Sequence, residues 1–171
     1  ENFVSLMTAI NAMAEQYQVP VIYSTHPRSM KFIRSRRFKF HPLVQNVKPL
    51  GFFDYNHLQM HSLVVLSDSG TLSEESAMLD FCGVLIRTST ERPEVLDKGT
   101  VVIGGISSQS IAQAAELAIA MHQAREPRAL PADYADANVS VKVIKLIQSY
   151  TPIVNETVWL KSARSIAEGD I

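Results

Sequence analysis

Five short apolar runs constrain the fold of this chain more than any other feature. They are rich in Val, Ile and Leu, lack a regular alternation with polar residues, and occupy residues 19–25, 47–50, 63–66, 83–87 and 101–103. Strands of this kind are buried on both faces, as in parallel sheets that helices cover on each side. We therefore predict an α/β fold built on a doubly wound parallel sheet.

Helical patterns separate the predicted strands. Predicted helices cover residues 1–17, part of 27–40, 52–62, 71–80, a short segment within 88–99, 107–124, 138–150 and 152–167. The Pro- and Ala-rich residues 125–138 predict a surface connection before the last two helices. Because the chain starts at Glu1, inside a helical pattern and without an initiating Met, we expect residues 1–171 to be one domain of a longer protein.

Composition excludes several classes of protein. The 171 residues include 16 basic and 17 acidic ones, so the net charge of −1 favours neither nucleic acid nor an anionic membrane as a partner. No segment reaches transmembrane length and no signal peptide is visible, so we expect a cytoplasmic location. The single Cys82 excludes an internal disulfide framework, and its place in an apolar run predicts a buried thiol.

The stretch after the third predicted strand contains the first candidate site. Ligands of doubly wound sheets bind at the carboxyl ends of the strands, where Ser69, Gly70 and Thr71 precede a helix. Backbone N–H groups at a helix N-terminus, with two hydroxyls, would bind a phosphate, and Glu74 or Glu75 could accept hydrogen bonds from a ribose diol. The alternative is a helix cap with acids in the first turn, and the residues alone leave both open.

Two further candidates follow other strands. Arg92 lies in a loop after the fourth strand and could fork onto a phosphate, although a surface pair with Glu94 is an equally simple reading. His26 ends the first strand beside Arg28 and could donate to a phosphate or transfer a proton, although a lone His is often structural.

Two other patterns are less specific. Residues 28–40 hold six basic side chains and three phenylalanines, which fits either a nucleic-acid patch or an amphipathic helix with a basic solvent face. His57 and His61 share one helical face, but the sequence supplies no third ligand nearby, so we expect no metal site.

Taken together, these motifs resemble the non-hydrolysing UDP-N-acetylglucosamine 2-epimerases. The resemblance rests on "SDSGTLSEES", "RTSTERPE" and "KGTVVIGG" in this order and spacing. It covers nearly the whole chain and implies the Rossmann-like C-terminal half of a two-domain enzyme of GT-B type. The tail "NVSVKVIKLIQSYTPIVNETVW" resembles the branch that makes UDP-N-acetyl-L-fucosamine from a UDP-2-acetamido-2,6-dideoxy-L-talose.

The resemblance implies roles for individual residues. Ser69 and Gly70 would hold the UDP diphosphate, together with Thr71, which stands where most members have a second Gly. Glu75 would accept the ribose hydroxyls, whereas Glu74 would support the helix.

The remaining implied contacts come from other loops. Arg92 would face the diphosphate or the sugar, and His26 would lie at their junction. Tyr55 would pack against the uracil, and backbone atoms of residues 50–53 would read the base edge.

The resemblance also implies a reaction and its partners. A base removes the C2 proton, UDP leaves from C1 to give a glycal, and UDP returns as a proton reaches C2 from the other face. The acid and base carboxylates would belong to the N-terminal domain, so we expect this chain to bind UDP weakly without turnover. We expect no cofactor, no nucleic acid, no membrane, and a homodimer when full length, in a pathway to bacterial surface polysaccharide precursors. Alternatives are a GT-B glycosyltransferase or a non-catalytic nucleotide-binding module.

Overall fold

A computed structural model describes residues 2–125 and 129–161 of the chain. Five strands alternate with helices, as the sequence predicts. The strands are β1 (Val21–Ser24), β2 (Val44–Val47), β3 (Val65–Ser67), β4 (Gly83–Leu85) and β5 (Val101–Ile103). The helices are α1 (Asn2–Tyr17), α2 (Pro27–Ser35), α3 (Phe52–Met60), α4 (Leu72–Leu79), α5 (Pro93–Asp97), α6 (Ser108–Gln123), α7 (Ala132–Ala135) and α8 (Val139–Thr157).

Every strand pair is parallel, which confirms the predicted α/β architecture. One ladder joins β1 to β2, with Val21 opposite Val44. A second ladder has the order β3-β4-β5, with Gly83 opposite both Val65 and Val101. Each strand is followed by a helix, so polar residues after the strands gather at the carboxyl ends of the ladders.

Helices cover both faces of the three-stranded ladder. Successive residues of a strand point to opposite faces, and in β4 these are Val84 and Leu85. Val84 packs with Met13 of α1 and with small side chains of α6, such as Ala115. Leu85 packs on the other face with residues of α4 and α5, including Leu72 and Val95, together with Phe81 and Val101. The sheet is therefore doubly wound.

A third cluster covers the two-stranded ladder. Met7, Ile10 and Ala14 of α1 pack with Ile33 of α2 and Val44 of β2. Because Met13 belongs to the Val84 cluster, α1 contributes to two cores. Cys82, which directly precedes β4, is buried in the Val84 cluster, so the prediction of a buried thiol is confirmed.

The basic stretch 28–40 begins as an amphipathic helix. Ile33 is buried in α2, while the six basic side chains of the stretch are exposed. This agrees with the second of the two readings of that segment, a helix whose basic face meets solvent.

Three elements differ from the sequence predictions: β2, α7 and α8. The second strand spans Val44–Val47 rather than residues 47–50, because Pro49 has no N–H for a ladder bond while Val44 supplies a buried side chain. The short helix α7 inside residues 125–138 was not predicted, and residues 126–128 lie outside the described part of the chain.

The last two predicted helices form one helix, α8, which continues through Pro152. Pro152 lacks the N–H that would bond to the Gln148 carbonyl, yet the helix continues to Thr157. The Thr151 hydroxyl donates to the Ile147 carbonyl at 2.6 Å in the same turn. Residues 162–167 of the predicted second helix lie outside the described residues.

The chain divides into two compact units after Tyr134. The first unit contains all five strands and every candidate site residue, and the second contains α8. Among the described helices, none has both the length and the apolar character needed to cross a lipid bilayer.

Candidate functional site

The loop between β3 and α4 is held together by its own hydroxyl groups. The Ser69 N–H donates to the Ser67 hydroxyl at 3.1 Å, and the Thr71 N–H donates to the Ser69 hydroxyl at 3.3 Å. The Ser69 and Thr71 hydroxyls are 2.9 Å apart. These bonds form successive serine turns, in which a side chain satisfies the backbone two residues later.

This geometry corrects the expectation of several free N–H groups at the start of α4. The Leu72 and Ser73 N–H groups donate to the carbonyls of Ser69 and Gly70, at 3.3 and 3.2 Å. The alternative, a helix cap with acids in the first turn, agrees with the structure in part. Thr71 at the N-cap position makes no side-chain capping bond, but the Ser69 hydroxyl accepts the Thr71 N–H, and Glu74 and Glu75 lie in the first turn. The loop is thus preorganised by hydroxyls, and two of them, on Ser69 and Thr71, lie on an exposed surface.

Gly70 leaves open space beside this loop. A Cβ added at Gly70 would have no atom within 4 Å, and its backbone does not adopt the left-handed region. Folding therefore does not require glycine at this position. Open space next to two hydroxyls and a helix N-terminus suits close approach of an anionic ligand.

Glu75 lies one turn into α4 and is held by a residue from another helix. The Gln59 amide of α3 donates to the Glu75 carboxylate, with Nε2 and Oε2 3.0 Å apart. Gln59 is only 4% exposed, whereas Glu75 is half-buried. One carboxylate oxygen is thus engaged from the protein side, which orients the group.

Tyr55 belongs to the same cluster. Its pKa is raised, first by burial and then by the negative charge of Glu75, while a hydrogen bond with the Ser67 side chain acts in the opposite direction. Tyr55 lies one helical turn before Gln59 on α3, so both side chains meet α4 from one face. The structure therefore brings Tyr55, Ser67 and Glu75 together.

Arg92 does not pair with Glu94, which had been the simple alternative for this loop. Its Nε donates to Glu74 Oε1 at 2.7 Å, and this contact raises the pKa of the guanidinium. The second carboxylate oxygen of Glu74 is buried without a partner among the described residues. Glu74 thus anchors Arg92, whereas the adjacent Glu75 accepts the bond from Gln59.

Glu94 accepts a hydrogen bond from Tyr134 instead. The Tyr134 hydroxyl lies 2.7 Å from Glu94 Oε1, and this bond lowers the pKa of Glu94. Burial, followed by the bond to Glu94, raises the pKa of Tyr134. Arg87 makes two hydrogen bonds of 2.9 Å to Glu91. The two arginines before α5 therefore bind different carboxylates, Arg87 that of Glu91 and Arg92 that of Glu74.

His26 caps α2. Its Nδ1 accepts the Arg28 N–H at 3.2 Å, which leaves the other ring nitrogen directed away from this contact on an exposed side chain. In the described part of the chain, His26 makes no hydrogen bond to Ser69, Glu75 or Arg92. Tyr23 of β1 has a pKa that is raised by burial, lowered by a hydrogen bond with Ser29, and raised further by the negative charge of Asp68, which follows β3.

Sequence reasoning missed three residues of this region: Gln59, Ser67 and Tyr134. The spacing of Tyr55 and Gln59, four residues apart on one helix, was the only signal that could have indicated the first. Groups of three or more potential metal ligands are absent from the described residues.

Comparisons with known proteins give one consistent result. A sequence profile described as UDP-N-acetylglucosamine 2-epimerase matches residues 1–148. A UDP-N-acetylglucosamine 2-epimerase of Methanococcus maripaludis is 29% identical over 115 residues, which are 65% of this chain and 31% of the relative. The enzyme of Bacillus subtilis is 25% identical over 154 residues, or 85% of this chain and 39% of the relative.

Solved structures agree with the sequence matches. A UDP-N-acetylglucosamine 2-epimerase from Rickettsia bellii has a TM-score of 0.79 and 31% identity, over 94% of this chain and 44% of the other. The Methanocaldococcus jannaschii enzyme, in complex with UDP-GlcNAc and UDP, has a TM-score of 0.75 at 21% identity, over 86% and 40% of the two chains, and therefore speaks for the fold alone. The chain spans less than half the length of these proteins, and it belongs to the UDP-N-acetylglucosamine 2-epimerase family.

Proposed function

We propose that this chain is the UDP-binding half of a UDP-2-acetamido-sugar 2-epimerase of GT-B type. The observation that carries the proposal is the Glu75 carboxylate, which Gln59 orients one turn behind the hydroxyl-lined loop that follows β3. A carboxylate that is held one helical turn after a phosphate-binding loop can bind the ribose of a nucleotide whose diphosphate occupies that loop.

Each site residue has a role in this proposal. Ser69, Gly70 and Thr71 bind the diphosphate, and the Thr71 hydroxyl supplies a donor. Glu75 accepts the ribose hydroxyls, and Tyr55 packs against the uracil, with backbone atoms of residues 50–53 at the base edge.

Two basic side chains complete the diphosphate site. The Arg92 guanidinium, anchored through Nε by Glu74, directs its remaining N–H groups to the phosphates. The ring nitrogen of His26 that is not used for capping donates at the junction of diphosphate and sugar.

The proposed reaction requires this chain to stabilise a leaving group. When the C2 proton is removed and the C1–O bond breaks, the departing UDP gains negative charge and a glycal remains. Preorganised donors stabilise that charge, and this is the contribution of Arg92, His26 and the loop. UDP then adds back to C1 while C2 is protonated from the opposite face, by carboxylates that we assign to a second domain.

The finer assignments follow the sequence resemblance. We propose a UDP-2-acetamido-2,6-dideoxy-L-talose-type substrate, which the enzyme would convert to UDP-N-acetyl-L-fucosamine, a homodimeric full-length enzyme, and a role in the synthesis of bacterial surface polysaccharide precursors. No resident cofactor or metal is needed for the elimination and re-addition.

Deuterium incorporation tests this function. A protein that joins this chain to its second domain is incubated with a UDP-2-acetamido sugar in deuterated water, and the sugar is examined by mass spectrometry and NMR. We expect one deuterium at C2 together with epimerisation. Transfer of the sugar to an acceptor without deuterium at C2 would indicate a glycosyltransferase instead.

A further inference from the structure

Gln59 is a buried amide whose position the rest of the core does not explain. It is 4% exposed on α3, a helix whose other side chains are partly or fully exposed. Its Nε2 lies 3.0 Å from Glu75 Oε2, and its sequence separation from Glu75 is 16 residues. A Leu or Met at this position would fill a similar volume without burying polar atoms.

The orientation of the amide is set by its partner. An ionised carboxylate only accepts hydrogen bonds, so the NH₂ group of Gln59 must face Glu75. Its Oε1 is then buried without a hydrogen-bond partner among the described residues. An unsatisfied buried acceptor lowers stability, so an apolar residue would serve the core better. Within the described residues, the hydrogen bond to Glu75 offsets this cost.

The bond restricts how Glu75 can receive a ligand. A glutamate side chain has several rotatable bonds, and fixing it during binding costs conformational entropy. With Oε2 tied to Gln59, the carboxylate is already oriented, and its remaining lone pairs stay available for two hydroxyl groups. Preorganisation of this kind raises affinity by lowering the cost of binding.

We propose that Gln59 is a positioning residue that aims Glu75 at the ribose, and that it thereby sets the preference of the site for ribonucleotides over 2′-deoxyribonucleotides. This inference rests on the proposed function, because it assumes that Glu75 accepts the ribose hydroxyls. It assigns a second, buried residue to ribose selection, supplied by α3.

The test compares two probes, UDP and 2′-deoxy-UDP, by titration calorimetry on the 171-residue chain. In the wild-type protein we expect UDP to bind about tenfold or more tightly than 2′-deoxy-UDP, as a hydrogen bond to a charged group predicts. Gln59→Met should weaken UDP binding severalfold and 2′-deoxy-UDP binding less, because 2′-deoxy-UDP keeps only one of the two hydroxyls that Glu75 would accept, so the ratio falls toward about 2. His57→Ala, an exposed residue on the same helix, is the matched control and should retain the wild-type ratio.

A second variant keeps the inference testable if Gln59→Met fails to fold. Gln59→Glu places two carboxylates side by side, which raises the pKa of the pair. Near pH 8 both are ionised and the discrimination between UDP and 2′-deoxy-UDP should be lost. Near pH 5.5 a shared proton restores the bond, and discrimination should return, which a purely structural role of Gln59 would not produce.

The outcomes distinguish failure of the positioning role of Gln59 from failure of the proposed function. If UDP binds, Glu75→Ala abolishes the ribose preference and the Gln59 variants keep it, the positioning role is contradicted while the proposed function stands. If Gln59→Met weakens both probes equally, Gln59 is structural and the inference fails. If the wild-type chain binds neither probe, the proposed function fails and the inference fails with it.

Discussion

Glu74 and Glu75 are adjacent in sequence but contact different partners. Consecutive helical residues point about 100° apart, so Glu74 faces the loop before α5 and binds Arg92 at 2.7 Å, while Glu75 faces α3 and binds Gln59 at 3.0 Å. One helix turn thereby fixes two groups of opposite charge: the Arg92 guanidinium, which we propose binds phosphate, and the Glu75 carboxylate, which we propose binds the ribose hydroxyls.

Glu75 provides the first prediction at the residue scale. Glu75→Gln removes the charge that we propose accepts the ribose hydroxyls, and UDP affinity should fall about tenfold to hundredfold, since hydrogen bonds to charged groups contribute about 1.5–3 kcal/mol. Titration calorimetry measures the change. Glu116→Gln, an exposed acid on α6, should bind UDP as the wild type does. Unchanged affinity in Glu75→Gln would remove this residue from the site.

Arg92 provides the second prediction at the residue scale. Arg92→Lys keeps the charge but loses both the Nε bond to Glu74 and the planar fork, so we expect UDP to bind about tenfold more weakly and uridine to bind equally. Arg87→Lys is the matched control, because Arg87 is already occupied by Glu91. An equal loss for UDP and uridine would show that Arg92 does not contact phosphate.

The sequence could predict which loops contain the candidate site residues but not which side chains meet within them. Ser69, Glu75, Arg92 and His26 were chosen as candidates because each follows a strand or lies near the start of a helix. The partners of Glu74 and Glu94 were not, because those contacts join residues 18 and 40 positions apart. Such long-range pairs depend on how the helices and loops pack, which cannot be predicted from the order of neighbouring residues.

At the scale of elements, the strands were predictable where apolar side chains alone decide their limits. The fifth strand was located without error at Val101–Ile103. The second was displaced by three residues, because Pro49 and the burial of Val44 outweighed the apolar run that ends at Leu50. The continuous helix α8 was missed because a Pro usually ends or kinks a helix, whereas α8 continues through Pro152 to Thr157.

Two glycines make contrasting predictions for the packing of these elements. A Cβ at Gly104 would lie 2.8 Å from Val84 Cγ1 and 3.4 Å from Ala114 Cβ, between β4 and α6. Gly104→Ala should therefore lower the free energy of unfolding by about 1–3 kcal/mol, measured by urea denaturation. Gly70→Ala, whose Cβ meets nothing within 4 Å, should unfold as the wild type does but bind UDP more weakly. Equal stability of both variants would contradict the packing at Gly104.

The contact between α5 and Tyr134 predicts a dependence on pH. Glu94 has a lowered pKa, so its stabilisation is present above its ordinary value of 4.5 and is lost as the pH falls through the folded value. Tyr134 has a raised pKa, so its contribution is present below 10 and is lost as the pH rises through the higher folded value.

Tyr134→Phe removes both contributions. The difference in free energy of unfolding between wild type and Tyr134→Phe should be largest between about pH 5 and pH 10 and should narrow on both sides. Urea denaturation at a series of pH values measures it. A difference that is constant with pH would mean that the hydroxyl bond to Glu94 does not form in solution.

At the scale of the whole molecule, the central claim is that one end of this parallel sheet binds UDP. The chain spans 44% of its Rickettsia bellii relative and 31% of its Methanococcus maripaludis relative, and the carboxylates that would move the C2 proton are assigned to another domain. We therefore expect binding without turnover from these 171 residues alone. Measurable epimerisation by the isolated chain would contradict that division of labour.

A titration of the ¹⁵N-labelled chain with UDP, followed by amide chemical shifts, tests the central claim most directly. We predict saturable shifts that concentrate at Tyr55, the loop 67–71, Glu75 and Arg92, and that disappear in Glu75→Ala at the same UDP concentrations. The account is contradicted if UDP produces no shifts, or if the shifts lie elsewhere and survive the Glu75→Ala substitution.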